Sequence, residues 1–346
     1  MNLISTKDLV PGMCIENDMV DAEGLVKLLA KGAVLDQAQI ERLGNWGAYV
    51  RVDDAEAAAR RQELAENKAR TEFVNSYKET IEKITYTFRQ LERNRSVPIV
   101  EILEIVDQKI NFLVESIGAL DYLHGIRCHS EHTFNHALNV AVLTGILGKW
   151  CGYKEAELRN LILAGLLHDI GKLVLPLAVL DKPGRLSAEE FAIIKTHPRE
   201  GYRVVEADGQ IGENVKQVIL QHHERMDGSG YPRGMVGAEI HEAAKIVSIA
   251  DVYDAITSDR PYQKKATPFK ALDILREEMF EKLEPNICMI FLDSMRDYFT
   301  GSRVLLSNGE KAKIISFTPN VKSFTKPVVC MSSGVLVDLQ TTDIYI

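Results

Sequence analysis

The chain has 346 residues, 46% apolar and 26% charged, which suits a globular protein with one large core and small satellites. A formal charge of −8 lacks the basic footprint of a polymeric nucleic-acid binder, while a small anionic substrate stays open where metals supply positive charge. No run reaches the roughly eighteen apolar residues of a membrane span, the start lacks a signal-peptide layout, and scattered cysteines without CxxC spacing suit reduced thiols in a cytoplasmic setting.

Residues 1–53 read as a small α+β module. Val10-Pro11-Gly12 is a turn signal, Asp36–Leu43 a short capped helix ending near Gly44, and Ala48–Val52 a strand. Residues 54–120 read as helical linker. No Pro or Gly interrupts 54–95, where Tyr77, Ile81, Ile84, Phe88 and Leu91 follow a 4-3-4-3 spacing. That stripe either packs on the chain's own domain or forms a homodimer seam through 54–95. Pro98 breaks the helix, and a second is expected from Ile99 to near Ile117.

Residues 121–300 are strongly helical. Leu158–Leu167 is apolar nearly all round, as in a buried central helix, and delivers His168-Asp169 at its end. Ser187-Ala188-Glu189-Glu190 is a capping box opening a helix towards His197, and Ala243 to Thr257 marks one more helix containing Asp251. Residues 301–346 read as a small β module of two hairpins, turning at Asn308-Gly309 and Ser333-Gly334. The expected class is mainly α, a helical core flanked by a mixed N-terminal and a β C-terminal module.

His168-Asp169 and His222-His223 carry the chemistry. A carboxylate beside an imidazole can span two ions, and an adjacent histidine pair adds nitrogen ligands from another element. His132 and His136, four apart, share one helix face. With His197 and Asp251 the set exceeds what one tetrahedral ion needs, which points to two or more divalent metals; nitrogen and oxygen ligands suit iron or manganese as well as zinc. His124, His129 and His241 lack such partners and read as ordinary core or surface residues.

These residues resemble the HD-GYP branch of the HD phosphohydrolase superfamily. The resemblance rests on His136, His168-Asp-x-Gly-Lys172, Lys195-x-His197-Pro198-x-x-Gly201, the run from His222 to Pro232, and Ala250–Tyr262. It covers roughly residues 121–300 and implies a helical HD-type phosphohydrolase core that hydrolyses cyclic di-GMP to linear pGpG, and in some members to GMP, in bacterial signalling. By that likeness Asp169 bridges two metals, iron or manganese first. His136, His168, His197, His222, His223 and Asp251 are then the terminal ligands. Lys172 is expected to touch the scissile phosphate or protonate the leaving oxygen, or else to be a solvated helix-end lysine. Arg260, and more weakly Lys264, are expected phosphate contacts, with a structural helix-end cation as the plainer reading of Arg260. Tyr231 either stacks a guanine or belongs to a loop that braces the histidine pair or docks a partner protein.

One position departs from the pattern. Members with a third metal usually carry a carboxylate four residues before the first ligand histidine, where this chain has His132 beside Glu131. A two-metal centre is therefore expected, with a third site through His132 open. Hydrolysis of another cyclic dinucleotide such as cyclic GMP-AMP, and a non-catalytic cyclic-dinucleotide receptor, are the alternatives.

Overall fold

A computed structural model describes the chain except residues 1, 16, 21–26, 45–48, 95–96, 127–131, 181, 183, 207, 259–265 and 319–322, and the side chains of 2–4, 20, 27–28, 44, 49–64, 94 and 132. Contacts divide it into two compact units, Met1–Glu72 and Phe73–Ile346.

In the first unit, strands β1 (Asn2–Ser5), β2 (Cys14–Ile15), β3 (Met19–Val20), β4 (Lys27–Leu29) and β5 (Tyr49–Asp53) accompany helix α1 (Gln37–Gly44). β5 pairs antiparallel with both β1 and β2, and β3 with β4. Asp36 caps α1, its Oδ1 accepting from Gln39 N at 2.7 Å. Leu9, Met13, Ile15, Leu35 and Leu43 form a small core of their own.

Helix α2 (Asp54–Asn94) runs across the boundary between the units. Within the second unit Phe73, Tyr77, Ile84, Phe88 and Leu91 are buried in the main core, with Ile81 partly covered against it. Phe88 meets Phe134 edge-on at 5.9 Å, and Phe73 meets Tyr122 at 5.2 Å. The 4-3-4-3 stripe is thus filled by the chain's own domain. The next helix is one run with a π-helical turn at Val106–Ile110 between α3 (Ile99–Ile105) and α4 (Asn111–Glu115); α5 (Ala119–Gly125) follows.

The centre of the unit is built from α6 (His132–Trp150), α7 (Glu155–Leu167) and α12 (Glu242–Thr257). α6 packs on α7, and α12 packs on α6. Their apolar composition follows from that position: residues 161–170 and 246–251 are buried without interruption. Around them lie α8 (Leu177–Leu180), α9 (Ala188–Ile194), α10 (His197–Glu206), α11 (Glu213–Gln221), α13 (Pro268–Glu278) and α14 (Pro285–Phe299). The Ser187/Glu190 capping box opens α9 as its sequence requires. Among the described residues no helix is long and apolar enough to cross a membrane.

Strands β6 (Arg303–Leu305), β7 (Lys311–Ser316), β8 (Val328–Met331) and β9 (Leu336–Asp338) form an antiparallel sheet in that order. Its turns use Gly309 at φ 84° and Gly334 at φ 85°, a region that glycine enters without steric cost. Ile314, Phe324 and Val329 join the helical core. Asp273 on α13 accepts from Ser323 Oγ at 2.5 Å and Phe324 N at 2.6 Å, holding the connection between β7 and β8.

Candidate metal centre

Four elements deliver buried imidazoles to one place. His136 lies in α6, His168 ends α7, His197 starts α10, and His222-His223 follow α11; α12 contributes Asp251. Two tight groups result: Asp169, His197, His222 and His223 in one, and His136, His168 and Asp251 in the other.

Asp169 joins the groups. Its Oδ1 lies 3.1 Å from His197 Nε2 and 3.7 Å from His222 Nε2. Its Oδ2 lies 3.3 Å from His168 Nε2 and 3.6 Å from His136 Nε2. Asp251 Oδ1 is 3.1 Å from His136 Nε2, and its Oδ2 is 3.9 Å from His223 Nδ1. The two carboxylates therefore face the same set of ring nitrogens.

The rings are oriented from behind. His168, His197 and His222 each donate Nδ1–H to a carbonyl three residues back in the chain, Gly165 at 2.8 Å, Ile194 at 2.8 Å and Ile219 at 3.0 Å. A neutral imidazole that donates through Nδ1 presents a lone pair at Nε2. His197 Nε2 and His222 Nε2 are 3.2 Å apart, so two such lone pairs face each other. His168 Nε2 and Asp169 Oδ1 are buried without a hydrogen bond of good geometry. Buried lone pairs converging without donors cost free energy unless a cation receives them. The donor set fits divalent metals with nitrogen and oxygen ligation.

Electrostatics agree with that reading at Asp169, Asp251, His222 and His223. Burial works against the charge on Asp169, but the Lys172 ammonium, 2.6 Å from Oδ2, and the surrounding imidazoles hold its carboxyl well below the usual range. Asp251 is also held low, His136 outweighing burial. Burial pushes His222 down to about 4 and His223 lower than usual, leaving both neutral near pH 7. His136 goes the other way: Asp251 and Asp254 outweigh burial and raise it to about 10.

Two glycines let the backbone close this tightly. A Cβ on Gly171 would come within 2.0 Å of the His197 carbonyl and 2.4 Å of Gly201 N, so the short turn after Asp169 (Ile170–Val174) can rest on α10 only without a side chain. A Cβ on Gly230 would lie 2.5 Å from the His223 carbonyl and from Arg225 N. The Gly-Tyr-Pro loop folds back on the histidine pair. Tyr231 lies over His223 with ring centroids 4.6 Å apart and planes tilted 32°, and its N–H donates to the His223 carbonyl at 3.2 Å. Lys195 Nζ sits 5.7 Å from the Tyr231 centroid.

Some expected site residues cannot be placed. Arg260 and Lys264 lie outside the described residues, as does the side chain of His132; Glu131 and His129 do too. His124 and His241 have ordinary roles: His124 Nε2 pairs with the Tyr253 hydroxyl at 3.0 Å, and His241 Nδ1 caps α12 by accepting from Ala243 N at 3.2 Å. Reasoning from sequence missed two residues. Asp254 Oδ2 binds His136 Nδ1 at 2.6 Å. Buried Glu224 accepts from Arg233 N at 2.7 Å and Met235 N at 3.0 Å, pinning the loop that carries Tyr231. The Glu in the His-His-Glu run was a signal for the second; the first lay within the Ala250–Tyr262 stretch, where nothing marked it as the partner of His136.

A family model described as "HD domain" matches residues 125–287. The chain carries an HD domain. The chain is 32% identical over 243 residues to a cyclic di-GMP phosphodiesterase of Pseudomonas aeruginosa, covering 68% of this chain and 58% of that protein. It is 37% identical over 197 residues to 3'3'-cGAMP-specific phosphodiesterase 1 of Vibrio cholerae, covering 56% of this chain and 45% of the relative. Over 175 residues it is 38% identical to a cyclic di-GMP phosphodiesterase of Thermotoga maritima, covering 50% and 45%. The chain thus spans about half the length of these relatives. A solved HD-GYP-type protein from Bdellovibrio bacteriovorus shares the fold, with a TM-score of 0.54 at 20% identity over 85% of this chain and 99% of its own.

Proposed function

We propose that this protein is a metal-dependent phosphodiesterase that hydrolyses cyclic di-GMP to linear pGpG. The observation that carries the proposal is Asp169, whose Oδ1 lies 3.1 Å from His197 Nε2 in its own His/Asp group and whose Oδ2 lies 3.3 Å from His168 Nε2 in the adjoining one. We assign His136, His168 and Asp251 to one ion and His197, His222 and His223 to the other, with Asp169 between them. Iron or manganese are the ions we favour, since the ligands are imidazole and carboxylate without thiolate. When bound, two such ions lower the pKa of water and neutralise charge at phosphorus.

The chain's own residues supply preorganisation. Backbone carbonyls fix the imidazoles through Nδ1, so the ligands need no reorientation when charge develops nearby. Lys172 keeps Asp169 ionised and, being partly exposed at the edge of the cluster, is our proton donor for the leaving oxygen. Tyr231 stays packed on His223, leaving Lys195 and the rim of the loop to meet the nucleotide.

A second substrate is favoured by one observation, the 37% identity to a relative named as specific for 3'3'-cGAMP. Anaerobic incubation of reduced, Mn²⁺-loaded protein with each dinucleotide, followed by product chromatography, tests both. The proposal expects pGpG from cyclic di-GMP. Turnover of cyclic GMP-AMP alone transfers the activity to that substrate, and tight binding without product at full metal occupancy makes the protein a receptor.

A further inference from the structure

One ligand histidine differs from the others in what stands behind it. His168, His197 and His222 lean on carbonyls of their own local turns, whereas His136 Nδ1 meets the side chain of Asp254 at 2.6 Å. The contacts continue. Asn139 Nδ2 donates to Asp254 Oδ1 at 2.9 Å, and the Tyr77 hydroxyl donates to Asn139 Oδ1 at 2.8 Å.

The chain of bonds has a fixed polarity. A phenol proton to the amide oxygen sets which end of Asn139 is the donor. That donor faces the carboxylate, and the carboxylate accepts from Nδ1. His136 is left to present Nε2 towards Asp169 and Asp251. Asp254 is buried and Tyr77 is 2% exposed, so water does not readily substitute for either partner.

The origin of the first member is informative. Tyr77 lies on α2, outside the residues 125–287 matched as an HD domain, and the N-terminal part of α2 belongs to the other unit. α2 grips α6 twice, through Phe88 on Phe134 and Tyr77 on Asn139, two residues before and three after His136. The first contact is apolar packing alone; the second is the hydrogen-bonded route to the ligand.

We propose that Asp254, Asn139 and Tyr77 are positioning residues for His136, and that through Tyr77 the docked half of α2 sets the metal affinity of the centre. The inference rests on the metal-centre reading above. Movement of α2 that withdraws the Tyr77 hydroxyl loosens Asn139, then Asp254, then the ring of His136.

The test is calorimetric titration of the full-length, metal-free protein with Mn²⁺, alongside thermal unfolding in chelator. Tyr77→Phe preserves the ring and its packing; we expect unchanged unfolding but Mn²⁺ affinity lower by about tenfold at the His136 site, the lower end of such outer-shell effects. Asp254→Asn is expected to lose more, about 10- to 100-fold. Phe88→Leu is the packing control, with lower stability and wild-type Mn²⁺ affinity. Wild-type affinity in Tyr77→Phe overturns the inference alone. Equal losses in Phe88→Leu and Tyr77→Phe also overturn it, because packing then explains both. A wild type that binds no Mn²⁺ overturns the metal-centre reading and this inference together.

Discussion

Gly171 rests directly against Gly201, whose amide nitrogen would lie 2.4 Å from a Cβ on Gly171, so that the turn after Asp169 and helix α10 share a backbone interface. This contact ties the His168-Asp169 dyad to His197. Gly171→Ala would place a methyl 2.0 Å from the His197 carbonyl, and backbone cannot yield as a side-chain tip would. We predict a loss of stability at the upper end of overpacking effects, about 3 kcal/mol or more, with metal binding lost as well. Urea unfolding and metal titration of the variant check this; an unchanged midpoint would rule out the close approach.

Glu224 holds the Gly-Tyr-Pro loop by two backbone amides. Glu224→Ala leaves those N–H groups without their acceptor, at a cost of about 1–3 kcal/mol. Hydrogen exchange should accelerate at Arg233 and Met235 before the rest of the domain. Equal protection in variant and wild type would show that the loop is held by other means.

Lys172 sits 2.6 Å from Asp169 Oδ2. Lys172→Met should lower turnover by about 100- to 10,000-fold, the span of general-acid contributions, with smaller change in KM. Steady-state kinetics at saturating metal decide between a proton donor and a binding contact, since a rise confined to KM would indicate binding.

The metal-free protein should be most stable between two histidine titrations. Folded His222 is pushed down to about 4 by burial, against 6.5 ordinarily. Between those values the unfolded chain holds a proton that the folded one does not, so stability falls as pH drops from 6.5 through 4. Folded His136 is raised to about 10, because Asp251 and Asp254 outweigh burial. Its contribution is full below 6.5 and is lost as pH rises through 10. Urea midpoints across this range in chelator should show both limbs, and His136→Gln should flatten the alkaline one. Survival of that limb in His136→Gln would assign it elsewhere.

Much of this was legible in the sequence because it is periodic or local. The apolar run before His168 announced a buried helix, the Ser187 box announced α9, and Asn308-Gly309 announced a hairpin. The residues that converge on Asp169 were legible as motifs, since an adjacent His-Asp or His-His pair rarely serves packing. The Tyr77 stripe showed that a face is covered but not by what, because a 4-3-4-3 spacing looks alike against a second helix and against the chain's own core. Asp254 and Asn139 were hidden for another reason. Their hydrogen bond joins positions 115 apart in sequence, and such a pair leaves no spacing to read.

The central claim is that Asp169 serves two ions at once. Elemental analysis of anaerobically purified, metal-loaded wild type and Asp169→Asn tests it most directly, because the amide keeps the shape and removes the charge. The account predicts at least two ions per wild-type chain, and one or none in Asp169→Asn with cyclic dinucleotide hydrolysis abolished. Full occupancy and retained hydrolysis in Asp169→Asn would contradict it.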